Sequence, residues 1–285
     1  NPLATTEPFI RRAILPSLMR RLEYNFSHGN RDVRLFEIGT SFRSAGPGDP
    51  PFEETHVAAV LHGLREPAHW SNDESPIAIW DLKALLECVA SITYGADPVL
   101  APVSAETGAS ETEPVDTEIG QGMFAAGMAF DVVLTDGYIV GRGGLLTAEA
   151  VDAPAWAGEI WGLEVKLPSQ PRPSETVTFL PLPQFPAVER DLAMIVPDGV
   201  LACDIAALIR ASGGALLESV ELFDLYRGEG ALRSVEGFLS QGARSLAYRL
   251  RFCSPDRTLK DKQIDKAVGV ILARLKEELS VEHRG

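Results

Sequence analysis

Apolar residues recur at two different periods in the first 167 residues, and each period predicts a kind of element. A recurrence every three or four positions predicts an amphipathic helix, whereas strict alternation predicts a strand. The elements so predicted are a helix over Ile10–Phe26, strands over Val33–Gly39 and His56–Leu61, a helix over Asp81–Tyr94, a hairpin over Met128–Leu134 and Tyr138–Arg142, and a strand over Ile160–Leu167. Pro16 predicts a kink or a late start in the first helix. Asp136-Gly137 supplies the positive φ values of the hairpin turn, and the polar stretch Ala105–Gln121 predicts a solvated excursion.

A proline-rich segment, residues 168–183, predicts a linker between two domains, residues 1–167 and residues 184–285. The elements predicted after it are a strand over Arg190–Val196, a helix over Ala202–Ala211, strands over Leu217–Tyr226 and Ser245–Cys253, a helix over Asp261–Leu279 and a last short extended piece. This βαββαβ order predicts a four-stranded antiparallel sheet with both helices on one face, the ferredoxin-like arrangement. The connection Gly228–Arg244 is longer than a usual hairpin loop.

Composition adds limits to this picture. The 285 residues are 45% hydrophobic and 23% charged, which is ordinary for a globular protein with two cores. No apolar run reaches the roughly 18 residues of a membrane helix, so we expect a cytosolic protein without a membrane partner. Cys88, Cys203 and Cys253 lack paired spacing, which predicts small core residues and neither a disulfide framework nor a zinc site. The five histidines also lack ligand spacing, so no metal is expected.

The net charge of −14 is unevenly distributed. Residues 185–285 carry 14 Lys and Arg against 15 Asp and Glu, whereas residues 1–184 carry 12 against 25. A strongly acidic protein attracts phosphate poorly, since counterion release depends on Lys and Arg. For a nucleic-acid ligand, the nearly neutral last third fits a small contact that reads bases better than a long phosphate groove.

Strand alternation in the last third defines a candidate site. It places Arg244, Leu246, Tyr248, Leu250 and Phe252 on one face of their strand, which we interpret as core, and Ser245, Ala247, Arg249 and Arg251 on the other. Asp224 and Tyr226 share a face of the preceding strand, but Val220 and Leu222 have the same parity. A sheet face bearing a small residue, a hydroxyl, a carboxylate and an aromatic ring can stack a splayed base and read its edge. Solvated edge residues are the alternative interpretation.

Four segments of this third resemble the anticodon-binding domain of bacterial phenylalanine-tRNA synthetase β subunits. The segments are Phe185-Pro186-Ala187-Val188-Glu189-Arg190-Asp191-Leu192-Ala193, Leu217 to Gly228, Ser245-Leu246-Ala247-Tyr248 and Phe252 to Leu259. The resemblance implies that the positions of Ala193, Asp224, Tyr226 and Ser245 contact the anticodon. We place Arg249 and Arg251 beside them as further RNA-binding candidates.

The first domain resembles the catalytic-like module of the same family, a class II synthetase fold. The resemblance rests on Asn1-Pro2-Leu3, Arg12 to Leu18, Asn30 to Gly39 and Asp81-Leu82-Lys83. It implies an α+β protein, with a class II synthetase-like antiparallel sheet and helices followed by the ferredoxin-like domain. It also implies a piece of a longer β subunit, with editing residues located upstream of this chain.

This module is not expected to be catalytic. Class II adenylation needs an arginine two residues before the glutamate of its second motif, and here Leu35 precedes Glu37 by two. No arginine lies in Gly158–Leu167 to hold ATP, so charge developing on the phosphate would lack stabilisation. We interpret Arg34 as a structural or interface cation. Gly141-Arg142-Gly143-Gly144 lacks the Lys-Ser/Thr of a phosphate loop and is better explained as a hairpin exit.

The family resemblance implies partners for both domains. They are the catalytic α subunit, which would bind ATP and magnesium, and phenylalanine tRNA, in an (αβ)2 heterotetramer; no cofactor is expected on this chain and no catalytic residue is assigned to it. Two other hypotheses remain at this point. One is a self-contained cytosolic enzyme with a ferredoxin-like regulatory domain, and the other is a purely structural assembly subunit.

Overall fold

The structure is a computed structural model, which describes residues 10–72, 74–95, 98–103, 122–171, 173, 179, 184–226, 233–234, 237–238 and 244–284. The chain divides into two compact units, residues 1–175 and residues 176–285. The predicted excursion Ala105–Gln121 and most of the predicted linker, residues 168–183, lie outside the described residues.

The described part of unit 1 contains an antiparallel sheet of six strands and two helices. Its elements are α1 (Leu15–Ser27), β1 (Val33–Arg43), β2 (Phe52–His62), α2 (Ile79–Tyr94), β3 (Val99–Pro102), β4 (Phe124–Val133), β5 (Ile139–Leu146) and β6 (Ile160–Lys166). The strand order is β1-β2-β6-β5-β4-β3. Helix α1 begins late, with Pro16 in its first turn where the missing N–H costs no hydrogen bond. The sequence pattern missed β3, whose four residues are too few to show an alternation.

Each face of this sheet is covered by one helix, which creates two apolar clusters. Helix α1 packs on one face through residues such as Leu15, Leu18 and Leu22, and α2 packs on the other through Leu82 and Leu86. Because β6 lies in the middle of the sheet, six of its seven residues are buried. Trp161, at 1% exposure, donates a hydrogen bond of 3.1 Å from Nε1 to the carbonyl of Ile77 and so anchors the segment before α2.

Unit 2 has the predicted ferredoxin-like arrangement. Its elements are β7 (Val188–Val196), α3 (Ala202–Ser212), β8 (Leu217–Tyr226), β9 (Arg233–Ser234), β10 (Gly237–Phe238), β11 (Arg244–Phe252), α4 (Asp261–Leu279) and β12 (Glu282–His283). The main sheet has the order β12-β7-β11-β8, and β9 pairs with β10 separately. That small pair belongs to the long connection predicted at Gly228–Arg244, most of which lies outside the described residues.

Both helices of unit 2 pack against the same side of the sheet. Alternate residues of β7 and β11 meet apolar residues of α3 and α4, and Leu250, Ile209 and Ile271 are fully buried there. Tyr248 is 1% exposed and donates a hydrogen bond of 2.8 Å to the carbonyl of Ala202. Burial raises the pKa of Tyr248 to about 12. We call the opposite side of the sheet, away from α3 and α4, the outer face.

The prediction that the cysteines are core residues is wrong for two of them. Cys88 and Cys203 are exposed on α2 and α3, whereas Cys253 is half-buried. Both helices place their cysteine outside the apolar stripe, which a single sequence position does not reveal. Among the helices that the structure describes, none is long and apolar enough to cross a membrane.

Candidate nucleic-acid interface

Strand pairing brings four of the predicted site residues into two neighbouring rows on the outer face. Ala193 on β7 lies opposite Ala247 on β11, and Ala247 lies opposite Asp224 on β8. In the next row on the same face, two residues along each strand, Ser245 lies opposite Tyr226. Rows on the same face of a sheet are separated by two residues, or about 7 Å. The predicted positions, which come from three strands, therefore form one continuous area.

A β-bulge explains why Asp224 and Tyr226 share the outer face although Val220 and Leu222 have the same parity. The register along β11 places Tyr248 opposite Leu222 but Ala247 opposite Asp224, so Phe223 is an extra residue. The bulge reverses the alternation at that point. Leu222 therefore shares the helix-facing side with Tyr248. The strict alternation used for the sequence prediction is wrong at this position.

The predicted residues differ in how far they are accessible. Asp224 and Tyr226 are exposed, and Tyr226 retains 53% of its surface. Ala193 is half-buried, as expected for a small residue between two strands. Ser245 is only 6% exposed, since it lies between the larger register neighbours Ile195 and Tyr226. The exposed carboxylate and phenol are therefore the groups best presented to a ligand.

The two predicted arginines are held by carboxylates of the neighbouring strands. Arg249 donates two parallel hydrogen bonds of 2.8 Å, from Nε and Nη2, to the carboxylate of Asp191. Arg251 donates from Nε to Glu218 at 2.6 Å, and Glu189 lies within 4 Å of both guanidinium groups. The hydrogen bond to Asp191 raises the pKa of Arg249, and the same bond lowers the pKa of Asp191.

The outer face is consequently rich in negative charge. Strands β7, β8 and β11 present five carboxylates there, against two guanidinium groups that are already paired. The carboxylates are Glu189, Asp191, Glu218, Glu221 and Asp224. Such a surface repels phosphate but offers acceptors for the N–H groups of a base. The base-reading mode expected from the charge distribution stays a prediction, and this surface favours it over phosphate binding.

Sequence reasoning missed two residues of this surface. Phe223 was overlooked because alternation assigned it to the opposite face from Asp224, and Asp191 because its partner on β11 was unknown. The sequence feature that could have identified Phe223 is its position as an aromatic residue directly before the candidate residue Asp224. No local signal identifies Asp191, since its role depends on which strand becomes the neighbour of β7.

In unit 1, the charged side chains of Arg34 and Glu37 make contacts within the fold. Arg34 donates hydrogen bonds to the carbonyls of Leu64 and Arg65, and Glu37 pairs with Arg11 at 2.6 Å. Among the described residues, no three His, Cys, Asp or Glu side chains form a group that could hold a metal ion.

The glycine-rich run Gly141 to Gly144 lies inside β5, so its interpretation as a hairpin exit is wrong. A Cβ at Gly141 would lie 2.8 Å from Val165 Cγ2 and 2.9 Å from the carbonyl oxygen of Glu164. A Cβ at Gly144 would lie 2.6 Å from the carbonyl oxygen of Met128. These glycines therefore permit close approach of neighbouring strands.

Comparison with known protein families identifies both units. Residues 183–284 match the family model described as a ferredoxin-fold anticodon binding domain. This match places unit 2 in the anticodon-binding class of ferredoxin-fold domains. Residues 1–164 match the model for the phenylalanyl tRNA synthetase beta chain CLM domain. The chain belongs to the phenylalanyl-tRNA synthetase β chain family.

Curated relatives match over the whole chain. The chain is 31% identical over 289 residues to the phenylalanine-tRNA ligase β subunit of a Synechococcus species, covering 100% of this chain and 32% of that protein. It is 34% identical over 294 residues to the corresponding subunit of Anaeromyxobacter dehalogenans, covering 100% and 33%. The Listeria monocytogenes subunit is 28% identical over 280 residues, covering 98% and 32%. The chain thus spans about a third of the length of these relatives.

Proposed function

We propose that this chain serves a phenylalanine-tRNA ligase in two ways. Unit 2 binds the anticodon region of phenylalanine tRNA through the outer face, and unit 1 is a non-catalytic scaffold for the catalytic α subunit. The observation that carries the first part is the alignment of Ala193, Ala247 and Asp224 in one row beside the row of Ser245 and Tyr226.

The chemistry of these two rows suits an unpaired base. Tyr226 offers a half-exposed ring for stacking, and the carboxylate of Asp224 accepts hydrogen bonds from N–H groups on a base edge. Ala193 and Ala247 leave space above the strands, because neither side chain extends beyond Cβ. Since the arginines are paired, binding should depend on the base and only weakly on salt.

Exposed apolar residues on the edge strand β1 and at the start of α2 support the scaffold role of unit 1. Phe36 and Ile38 of β1 are 74% and 60% exposed, and Trp80 at the start of α2 is 66% exposed. Exposed large apolar groups are typical of surfaces that bind another protein. We assign this surface to the α subunit, which would bind ATP and magnesium and perform the chemistry in a cytosolic (αβ)2 assembly.

The anticodon assignment is tested by measuring fluorescence anisotropy of a labelled anticodon stem-loop of phenylalanine tRNA with the 285-residue chain. Tyr226→Ala should weaken binding by roughly 5- to 150-fold, the range for losing one stacked base. Asp224→Asn should also weaken binding. With a stem-loop in which the base read by Asp224 is replaced, Asp224→Asn and the unmodified chain should bind equally.

Tyr138→Ala is the matched control, because Tyr138 is equally exposed at 52% but lies in unit 1. Its affinity for the stem-loop should equal that of the unmodified chain. The proposal would be abandoned if an RNA with a substituted anticodon bound equally well and its affinity depended on salt alone.

A further inference from the structure

Phe223 is the extra residue of the β-bulge in β8, and its ring lies on the outer face. The guanidinium carbon of Arg249, which projects from the outer face of β11, is 4.9 Å from the centroid of this ring. Phe223 remains 46% exposed. A bulge commonly re-aims a side chain next to a functional site. Here it adds an aromatic ring to a face that is otherwise mostly carboxylates and small residues.

The ring of Phe223 packs against the guanidinium group of Arg249, which is bound to the neighbouring strand. Arg249 is held by its two hydrogen bonds to Asp191, so the guanidinium plane against Phe223 has little freedom. A planar guanidinium on an aromatic ring is a favourable cation–π contact. The pair is therefore a preorganised flat surface, and a ligand would bind it without first ordering a side chain.

The ring lies beside the area assigned to the anticodon. Along β8, Phe223 falls between the row of Asp224 and the row of Glu221, which lies opposite Arg249. Ala193 and Ala247 occupy the row of Asp224, next to Phe223. Their small side chains leave space above the sheet there. The row of Asp224 therefore lies between Tyr226 and Phe223. A strand of RNA that runs along the sheet from Tyr226 crosses this row, a distance of about 7 Å, before it reaches Phe223.

We propose that Phe223, backed by Arg249 and Asp191, is a second stacking position that holds the nucleobase adjacent to the one read by Asp224 and Tyr226. The proposal rests on the proposed function of the outer face. Single-stranded RNA is commonly held by successive bases that stack on aromatic residues of a sheet. The surrounding carboxylates oppose a phosphate at this position, so the ligand is the base and not the backbone.

Phe223 is suited to substitution, because it lies on the face away from the core of unit 2. Binding of the labelled anticodon stem-loop should weaken about tenfold in Phe223→Ala, within the range for removal of one stacking ring. Phe223→Tyr should retain the affinity of the unmodified chain, since the ring is preserved. Far-UV circular dichroism and the thermal midpoint of each variant show that unit 2 remains folded.

Stem-loops with a single abasic nucleotide in the anticodon locate the contact. At one abasic position Phe223→Ala should cause no further loss, while Tyr226→Ala still weakens binding there. Arg249→Gln should weaken binding less than Phe223→Ala does, and it should add nothing in the Phe223→Ala background, as expected of a positioning residue.

Two results would overturn the second stacking position while leaving the proposed function intact. One is unchanged affinity of Phe223→Ala when Tyr226→Ala and Asp224→Asn lose binding. The other is an equal loss for Phe223→Ala on every abasic stem-loop, which indicates a structural effect. If the unmodified chain shows no anticodon-dependent binding at all, the proposed function itself fails.

Discussion

At the scale of single residues, the outer face of unit 2 is organised by pairing between charges on neighbouring strands. Asp191 and Arg249 are directly opposite in the register and form a bidentate pair. Both side chains retain more than 40% of their surface, so solvent screens the pair and its contribution to stability is small. Its main effect is on geometry, because it fixes the guanidinium beneath Phe223.

The pH dependence of this pair gives a testable prediction. The hydrogen bond from Arg249 lowers the pKa of Asp191 in the folded state, so the pair stabilises the protein above the unfolded value of about 3.9. That contribution disappears as the pH falls through the lower folded value. Carboxyl-detected NMR titration should therefore give a midpoint for Asp191 below about 3.9, and Arg249→Gln should move it upward.

Arg251→Gln serves as the control for that titration. Arg251 pairs with Glu218 and lies near Glu189, so its removal should leave the midpoint of Asp191 close to that of the unmodified chain. A midpoint that stays low in Arg249→Gln would contradict the assigned cause.

At the scale of elements, α1 depends on a residue that is far away in the sequence. Its N-cap residue, Ile14, has no side-chain group that can cap the helix. The carboxylate of Glu164 on β6 instead accepts hydrogen bonds from the backbone N–H groups of Ile14 and Leu15, at 2.9 to 3.1 Å. It also lies 2.7 Å from Nδ1 of His56. A negative charge at a helix N-terminus satisfies free N–H groups and is favoured by the helix dipole.

Glu164→Gln should therefore destabilise unit 1. The amide keeps the size of the side chain but loses the charge and one acceptor, which leaves a buried N–H without its partner and costs about 1–3 kcal/mol. Urea unfolding followed by tryptophan fluorescence should show a lower midpoint.

Glu87→Gln is the matched control, since Glu87 is exposed and pairs with Lys83 one turn away on α2. Exposed pairs of this kind contribute roughly 0.5 kcal/mol or less. Equal midpoints for the two variants would show that the remote cap does not stabilise α1.

At the scale of the whole molecule, the two units have separate apolar clusters. Helices α3 and α4 form the core of unit 2 with β7 and β11, while α1 and α2 cover the sheet of unit 1. All four tryptophans of the sequence belong to unit 1, at positions 70, 80, 156 and 161. Tryptophan fluorescence therefore reports on one unit, whereas circular dichroism reports on both.

This distribution makes independent unfolding measurable. Ile271→Ala removes a fully buried side chain of α4 and should destabilise unit 2 by about 2–5 kcal/mol. The circular dichroism signal should then lose part of its amplitude at lower temperature, while the tryptophan transition stays unchanged. The neighbouring Val270 is 46% exposed, so Val270→Ala should alter neither signal. A tryptophan transition that shifts with Ile271→Ala would reveal coupling between the units.

The helices, the order of elements in unit 2, the family and the candidate RNA-binding positions could all be predicted from the sequence alone. The period of apolar residues predicted the helices at Asp81–Tyr94 and Asp261–Leu279 and the βαββαβ order of unit 2, because amphipathic periodicity is a local property. The resemblance of motifs identified the family, and the same motifs named Ala193, Asp224, Tyr226 and Ser245 as RNA-binding positions. That assignment stays a prediction until binding is measured.

Tertiary structure alone decided three further features. The bulge at Phe223 arises where β8 pairs with β11, so strict alternation could not predict which face its ring occupies. The pairing of Arg249 with Asp191 needs β7 and β11 to be neighbours, although 58 residues separate the two side chains. Glu164 caps α1 across 150 positions. Each feature joins residues that are distant along the chain, and such contacts exist only once the strands are placed.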